Sequence, residues 1–197
     1  MEPEHEREFE KGLLSPIGEL EFVRLLLADL HDDLDGKIGR FRQLTDLSGA
    51  LGSAGTMLPG AYTTSAAWRE ARISFVQGNY VATVMLCQGL AEHVLAAHLE
   101  MLGGDGLPPK ITFPETLRRC QDHSVIAQHD ADDMRRLMAL RNPLSHFRAI
   151  DDPATLMQRV LQTRESPDSH LLRDATFAIS MAIRLLALPA FRLEGAE

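Results

Sequence analysis

An all-α fold, an antiparallel bundle of about six helices, is what this sequence predicts. Three observations carry that expectation. Apolar residues recur at spacings of three and four along most of the chain. Alternation at period two, the mark of a half-buried strand, is absent. Clusters rich in Gly, Pro and Asp separate the periodic segments and read as short turns joining antiparallel neighbours.

Residues 1–14 are charged and read as a flexible N-terminus, and residues 15–192 read as one helical domain. Ser15-Pro16 offers a cap followed by proline at the first helical position. Phe22, Leu25, Leu26 and Leu30 follow at helical spacing, which predicts a helix over 16–34 ended by Gly36 and Gly39. Residues 45–60, rich in Gly, Ser, Ala and Thr, read as a loop. Ser65 reads as the cap of a helix bearing Trp68, Ala71, Ile73, Phe75 and Val76, and Gly78-Asn79 breaks it.

From Tyr80 to about Leu102 the apolar residues cover more than half the circumference, which predicts a central helix. Gly103-Gly104-Asp105-Gly106 with Pro108-Pro109 reads as a turn. Pro114 opens a short helix with Leu117 and Cys120. Asp130, with Asp133 three residues on, reads as the cap of a helix carrying Met134, Leu137, Met138 and Leu140. Residues 147–167 read as a polar linker. Ser166-Pro167 caps a last helix whose stripe includes Leu171, Ala175, Ala178, Ile179, Ala182, Ile183 and Leu186, and Pro189 stops it.

The bulk numbers bound the function. Twenty Lys and Arg stand against 28 Asp and Glu, a formal charge of −8, which is the wrong sign for a protein that coats nucleic acid. It leaves room for a small basic site on an acidic body. Two cysteines, Cys87 and Cys120, make no disulfide framework and point to a reducing compartment. The N-terminus is acidic where a signal peptide is basic, and Leu185–Ala190 is far shorter than the roughly 20 residues of a span. A cytoplasmic protein with no membrane segment is expected. His93 and His98 stand five apart, off the spacing of three or four that puts metal ligands on one helix face, so no metal and no cofactor is expected.

One segment carries chemistry: Leu140-Arg141-Asn142-Pro143-Leu144-Ser145-His146-Phe147. On an unbroken helix, residues five apart point roughly 140° away from each other and lie about 7.5 Å apart along the axis. Proline disfavours the α conformation of the residue before it. A break at Asn142-Pro143 is therefore expected to fold the chain back and bring Arg141 and His146 to one cleft. A guanidinium is a permanent planar cation that matches phosphate, and an imidazole moves protons near neutrality. Cleavage beside a ribose 2′-hydroxyl needs those two services and no metal, because the nucleophile is internal. The pair also has an ordinary structural reading, in which Arg141 pairs with an acid on a neighbouring helix and His146 caps the helix end. Glu92 on the central helix reads equally well as a buried partner or a solvated residue.

Arg141-Asn142-x-x-x-His146 at the end of a helix resembles the Arg-x(4–6)-His motif of the HEPN superfamily, and the stretch Gly78 to Glu92 is similar to that family's earlier core helix. The helix order over about 65–190 fits as well. The resemblance implies a HEPN-like bundle that forms a homodimer with two Arg–His pairs in a shared cleft. It implies a metal-independent endoribonuclease acting on RNA, in a toxin–antitoxin or defence setting, with an antitoxin or other protein as partner. By the same resemblance Arg141 and His146 are catalytic, Asn142 orients the phosphate or its partner, and Glu92 fixes Arg141. The alternative it leaves is a non-catalytic module that binds a protein partner or a nucleotide.

Overall fold

The computed structural model describes residues 18–103, 106–108 and 110–193, and its class is all-α. Eight α-helices stand among the described residues: α1 Glu19–Asp32, α2 Leu34–Ser48, α3 Ala61–Gln77, α4 Tyr80–Met101, α5 Phe113–Asp122, α6 Gln128–Ser145, α7 Leu156–Thr163 and α8 Pro167–Ala187. Short 3-10 turns follow α2 and α8. Backbone pairing outside the helices includes one isolated bridge, Thr56 with Arg192.

Two of these helices depart from the sequence expectation. The first segment is two helices, parted at Asp33, and α2 runs through Gly36 and Gly39, which were expected to end it. Glycine costs a helix only about 1 kcal/mol per residue, and α2 recovers it through its far end. There Leu44 is buried, and the buried Arg40 donates to the Val76 carbonyl at 2.9 Å and to the Tyr80 hydroxyl at 3.2 Å. The other departure is α7, which lies in the expected linker. Thr155 caps it, its hydroxyl accepting the Gln158 amide. Arg159 then forks onto the buried carboxylate of Asp174 on α8, at 2.6 and 2.9 Å. Ser15-Pro16 and the Gly104-Asp105 part of the expected turn lie outside the described residues.

The chain divides into two compact units, Met1–Asp35 and Gly36–Glu197. In the first, α1 buries none of its residues. The second is built around α4. Val84, Cys87, Leu90, Ala91, Val94 and Leu95 of that helix are fully buried, and α3, α5, α6 and α8 all pack on it. α4 is long and apolar enough to cross a membrane by length and composition, which the reading of short apolar runs overlooked; 44% of its apolar window is buried inside the protein. Its ends are set locally. Gly78 adopts φ 82°, a left-handed conformation that caps α3, and the Asn79 amide closes the turn on the Ser74 carbonyl.

The other elements close on this core by specific end contacts. The Thr112 hydroxyl accepts the Glu115 amide at the start of α5, where Pro114 fills the first turn. α6 begins at Gln128, two residues before the expected cap. Asp130 sits in its first turn, and its carboxylate accepts the Ala127 amide at 3.1 Å. Arg184 of α8 reaches both Asp130 and Asp133, at 3.0 and 2.8 Å, tying the two helices. Ser166 caps α8 as expected, accepting the Ser169 amide.

Both thiols belong to this core. Cys87 and Cys120 are free and fully buried. Burial pushes the Cys87 thiol up, and pushes that of Cys120 from 9.0 to about 12. The native protein is thus expected to leave both thiols unmodified by Ellman's reagent at pH 8, and to yield two in guanidinium. The sign of the linkage follows. A thiol whose folded value is raised keeps its full contribution below about 9 and loses it as pH rises toward about 12. Chemical denaturation across that range is expected to show falling stability.

Candidate functional site

The site stands at the C-terminal end of α6. Leu137 anchors the helix in the core, while Leu140 and Leu144 pack against it half-buried. The chain then leaves the core, with Arg141 half-buried and His146 exposed. Arg141 Nη1 lies 3.2 Å from His146 Nε2. The two groups chosen from the sequence are therefore in contact.

The route to that contact differs from the expected one. α6 does not break at Asn142-Pro143; it continues through Pro143 to Ser145. Pro143 cannot donate to the Ala139 carbonyl, but in the last turn of a helix one lost bond does not end it. The reversal comes three residues after the proline, at His146, whose backbone is extended at φ −129°, ψ 140°. Its amide still bonds the Asn142 carbonyl at 3.0 Å. That cap conformation swings the imidazole back along the helix toward Arg141. Ser145 Oγ is shared between the carbonyls of Arg141 and Asn142, both at 3.3 Å, and holds the same turn.

The electrostatics separate Arg141 from its neighbours. α6 carries three arginines. Arg135 binds Asp132 at 2.6 Å, and the Arg136 guanidinium lies 4.2 Å from the centroid of the Phe177 ring. Just beyond the helix, Arg148 stands 3.8 Å from Asp152. Arg141 has no carboxylate partner among the described residues, and its Nε is buried with no hydrogen-bond acceptor. A buried N–H left unmatched costs about 1–3 kcal/mol. The contact with His146 has a direction. Since the guanidinium only donates, a hydrogen bond across this contact needs Nε2 to offer its lone pair, which is the tautomer that carries its proton on Nδ1. A guanidinium can bind an oxyanion, and an imidazole beside it can accept or give a proton.

The supporting residues fall otherwise. Asn142 contributes its carbonyl to the turn, and its side-chain amide makes no hydrogen bond among the described residues. Glu92 does not fix Arg141. Its carboxylate accepts from the buried Gln88 at 2.6 Å, one turn back on α4, and it lines a separate cavity of about 480 Å³ with His93, Lys110 and Thr116. The resemblance expected an ion pair there, and the helix satisfies its acid internally instead.

A second cluster was missed by the sequence reading. Arg159 holds Asp174, and His170, one turn from Asp174 on α8, is buried with Nε2 2.8 Å from Thr163 Oγ1. The spacing His170-x-x-x-Asp174 was its one visible signal, and it was passed over because α7 was read as linker. Every partner in it is matched, so it locks α7 onto α8. No protein-family model matches the chain, and neither a curated protein nor a solved structure matches it.

Because the cap of α6 sets the geometry and the proline does not, Pro143→Ala is expected to keep the Arg141–His146 contact. It is also expected to raise stability by about 1–3 kcal/mol, since it restores an amide to the last turn. Chemical denaturation checks this; a loss of stability in Pro143→Ala would show that the site depends on the proline.

Proposed function

We propose that this chain is a HEPN-type, metal-independent endoribonuclease that works as a cytoplasmic homodimer in a toxin–antitoxin or defence setting. The observation that carries the proposal is the Arg141 guanidinium, which touches the His146 imidazole and has no carboxylate partner among the described residues. A scissile phosphate offers acceptors to the terminal N–H groups of that guanidinium. The helix order, with a central α4 followed by α5, the motif helix α6 and a long α8, supports the reading.

The chemistry runs as follows. Arg141 takes the non-bridging phosphate oxygens, which relieves His146 Nε2 of its contact. Nε2 then accepts the proton of the 2′-hydroxyl as that oxygen attacks phosphorus. The P–O5′ bond breaks, and the 5′-oxygen takes the proton that His146 Nε2 accepted from the 2′-hydroxyl. Arg141 balances the charge that builds on the phosphorane oxygens. Phe147 follows His146 and is 96% exposed, which leaves a ring free to stack on an unpaired base.

A second reading, a non-catalytic module that binds a nucleotide or a protein partner, is favoured by the formal charge of −8 and by the engagement of the other α6 arginines. Incubating the purified chain with unstructured RNA in EDTA separates the two. The nuclease is expected to leave 2′,3′-cyclic phosphate ends, and His146→Ala and Arg141→Ala are each expected to slow cleavage by about 100-fold or more. Cleavage of equal rate in both variants contradicts the assignment. Stoichiometric nucleotide binding without cleavage selects the second reading.

A further inference from the structure

The cavity that Glu92 lines has no part in the chemistry of Arg141 and His146. Its volume, about 480 Å³, lies within the roughly 300–1,000 Å³ of small-molecule sites. One wall is α4, with Glu92, His93 and Ala96, and the other is the approach to α5, with Lys110, Ile111 and Phe113. A second cavity, of about 330 Å³, shares His93, Ala96 and Ile111 and runs on along α4 to Ala97 and Glu100. The two therefore adjoin as one cleft.

The protein leaves the polar groups of this cleft partly unmatched. Gln88 donates to one Glu92 oxygen at 2.6 Å, and the other oxygen has no partner among the described residues. His93 Nδ1 donates to the Gly89 carbonyl at 2.8 Å, which leaves Nε2 of the neutral ring as an acceptor. Lys110 and Glu100 make no ion pair among the described residues. A cation and a carboxylate thus line one cavity without meeting. That pattern selects a ligand. A simple anion would suit Lys110 and be repelled by Glu92, and a simple amine the reverse. A molecule that carries both an ammonium and a carboxylate suits both. Between the charged ends, Ala96, Ala97 and Ile111 offer a shallow apolar surface, which fits a chain of methylene groups. Glu92 and Glu100 are eight residues apart, about 12 Å along a helix. An extended basic amino acid covers that length with a hydrogen bond at each end.

We propose that this cleft binds a free basic α-amino acid. Its α-ammonium lies on Glu92 and His93 Nε2, and its carboxylate on Lys110. Its methylenes cover Ala96 and Ile111, and its side-chain cation meets Glu100. The inference stands apart from the ribonuclease reading, because none of these residues belongs to the Arg141–His146 site.

Isothermal titration calorimetry of the full chain with L-arginine and with L-lysine is expected to show saturable binding of one molecule per chain. Agmatine lacks the carboxylate, Nα-acetyl-L-arginine lacks the ammonium, and L-norleucine lacks the side-chain cation. Each is expected to bind about 10-fold more weakly or worse than the complete amino acid. Glu92→Gln, Lys110→Met and Glu100→Gln are each expected to weaken L-arginine by about 10-fold while leaving the helical circular dichroism unchanged. Absence of saturable binding of either amino acid up to about 10 mM overturns the proposal. Agmatine or the acetylated analogue binding as well as L-arginine overturns it too, as does L-arginine binding that is unchanged in Glu92→Gln and Lys110→Met.

Discussion

The burial of α4 governs the second unit. A helix apolar on nearly every side has to be covered on nearly every side, and α3, α5, α6 and α8 are the elements that cover it. Their polar contacts then fix angles and ends. Arg40 locks α2 against the α3–α4 corner, Arg159 locks α7 to α8, and Arg184 ties α8 to the start of α6. In each case a guanidinium meets a fixed acceptor, so these three arginines serve as structural clamps.

Against that pattern Arg141 stands out through what it lacks. Its helix is held to α4 by Leu137, which leaves the last turn at the edge of the core. There the guanidinium meets an imidazole in place of a carboxylate. Unmet donors beside a proton acceptor are a cost to folding that a ligand can repay, a frequent condition of functional sites. The same economy would let an acidic protein hold the proposed anion site. The charge that counts is one partly desolvated cation, and the surrounding acids are spent on other arginines.

The sequence was most legible where composition left one solution. α4 was readable because its apolar residues cover more than half a turn, and Gly78-Asn79 because a left-handed cap suits glycine. Arg141 and His146 were readable as residue types at a spacing. Their contact was reached through the wrong cause: Pro143 was given a break that the extended backbone of His146 supplies. Gly36 and Gly39 misled because glycine lowers helix propensity without forbidding a helix. α7 was hidden by its polar setting, since what fixes it is an ion pair to a residue 15 positions away. Glu92 was assigned a distant partner when Gln88, four residues back, was nearer. Periodicity also marked the apolar stripe of the first helix, and it carries no information about what covers that stripe.

The account turns on His146 Nε2 facing an Arg141 guanidinium that has no carboxylate partner among the described residues. Two-dimensional nitrogen–proton spectra of the imidazoles, recorded near neutral pH with and without inorganic phosphate, report that state directly. His146 is expected to show an unprotonated Nε2 and a protonated Nδ1, and its Nε2 signal is expected to move as phosphate is added, with no such movement in Arg141→Gln. A proton resident on Nε2, or a ring indifferent to phosphate, would contradict it.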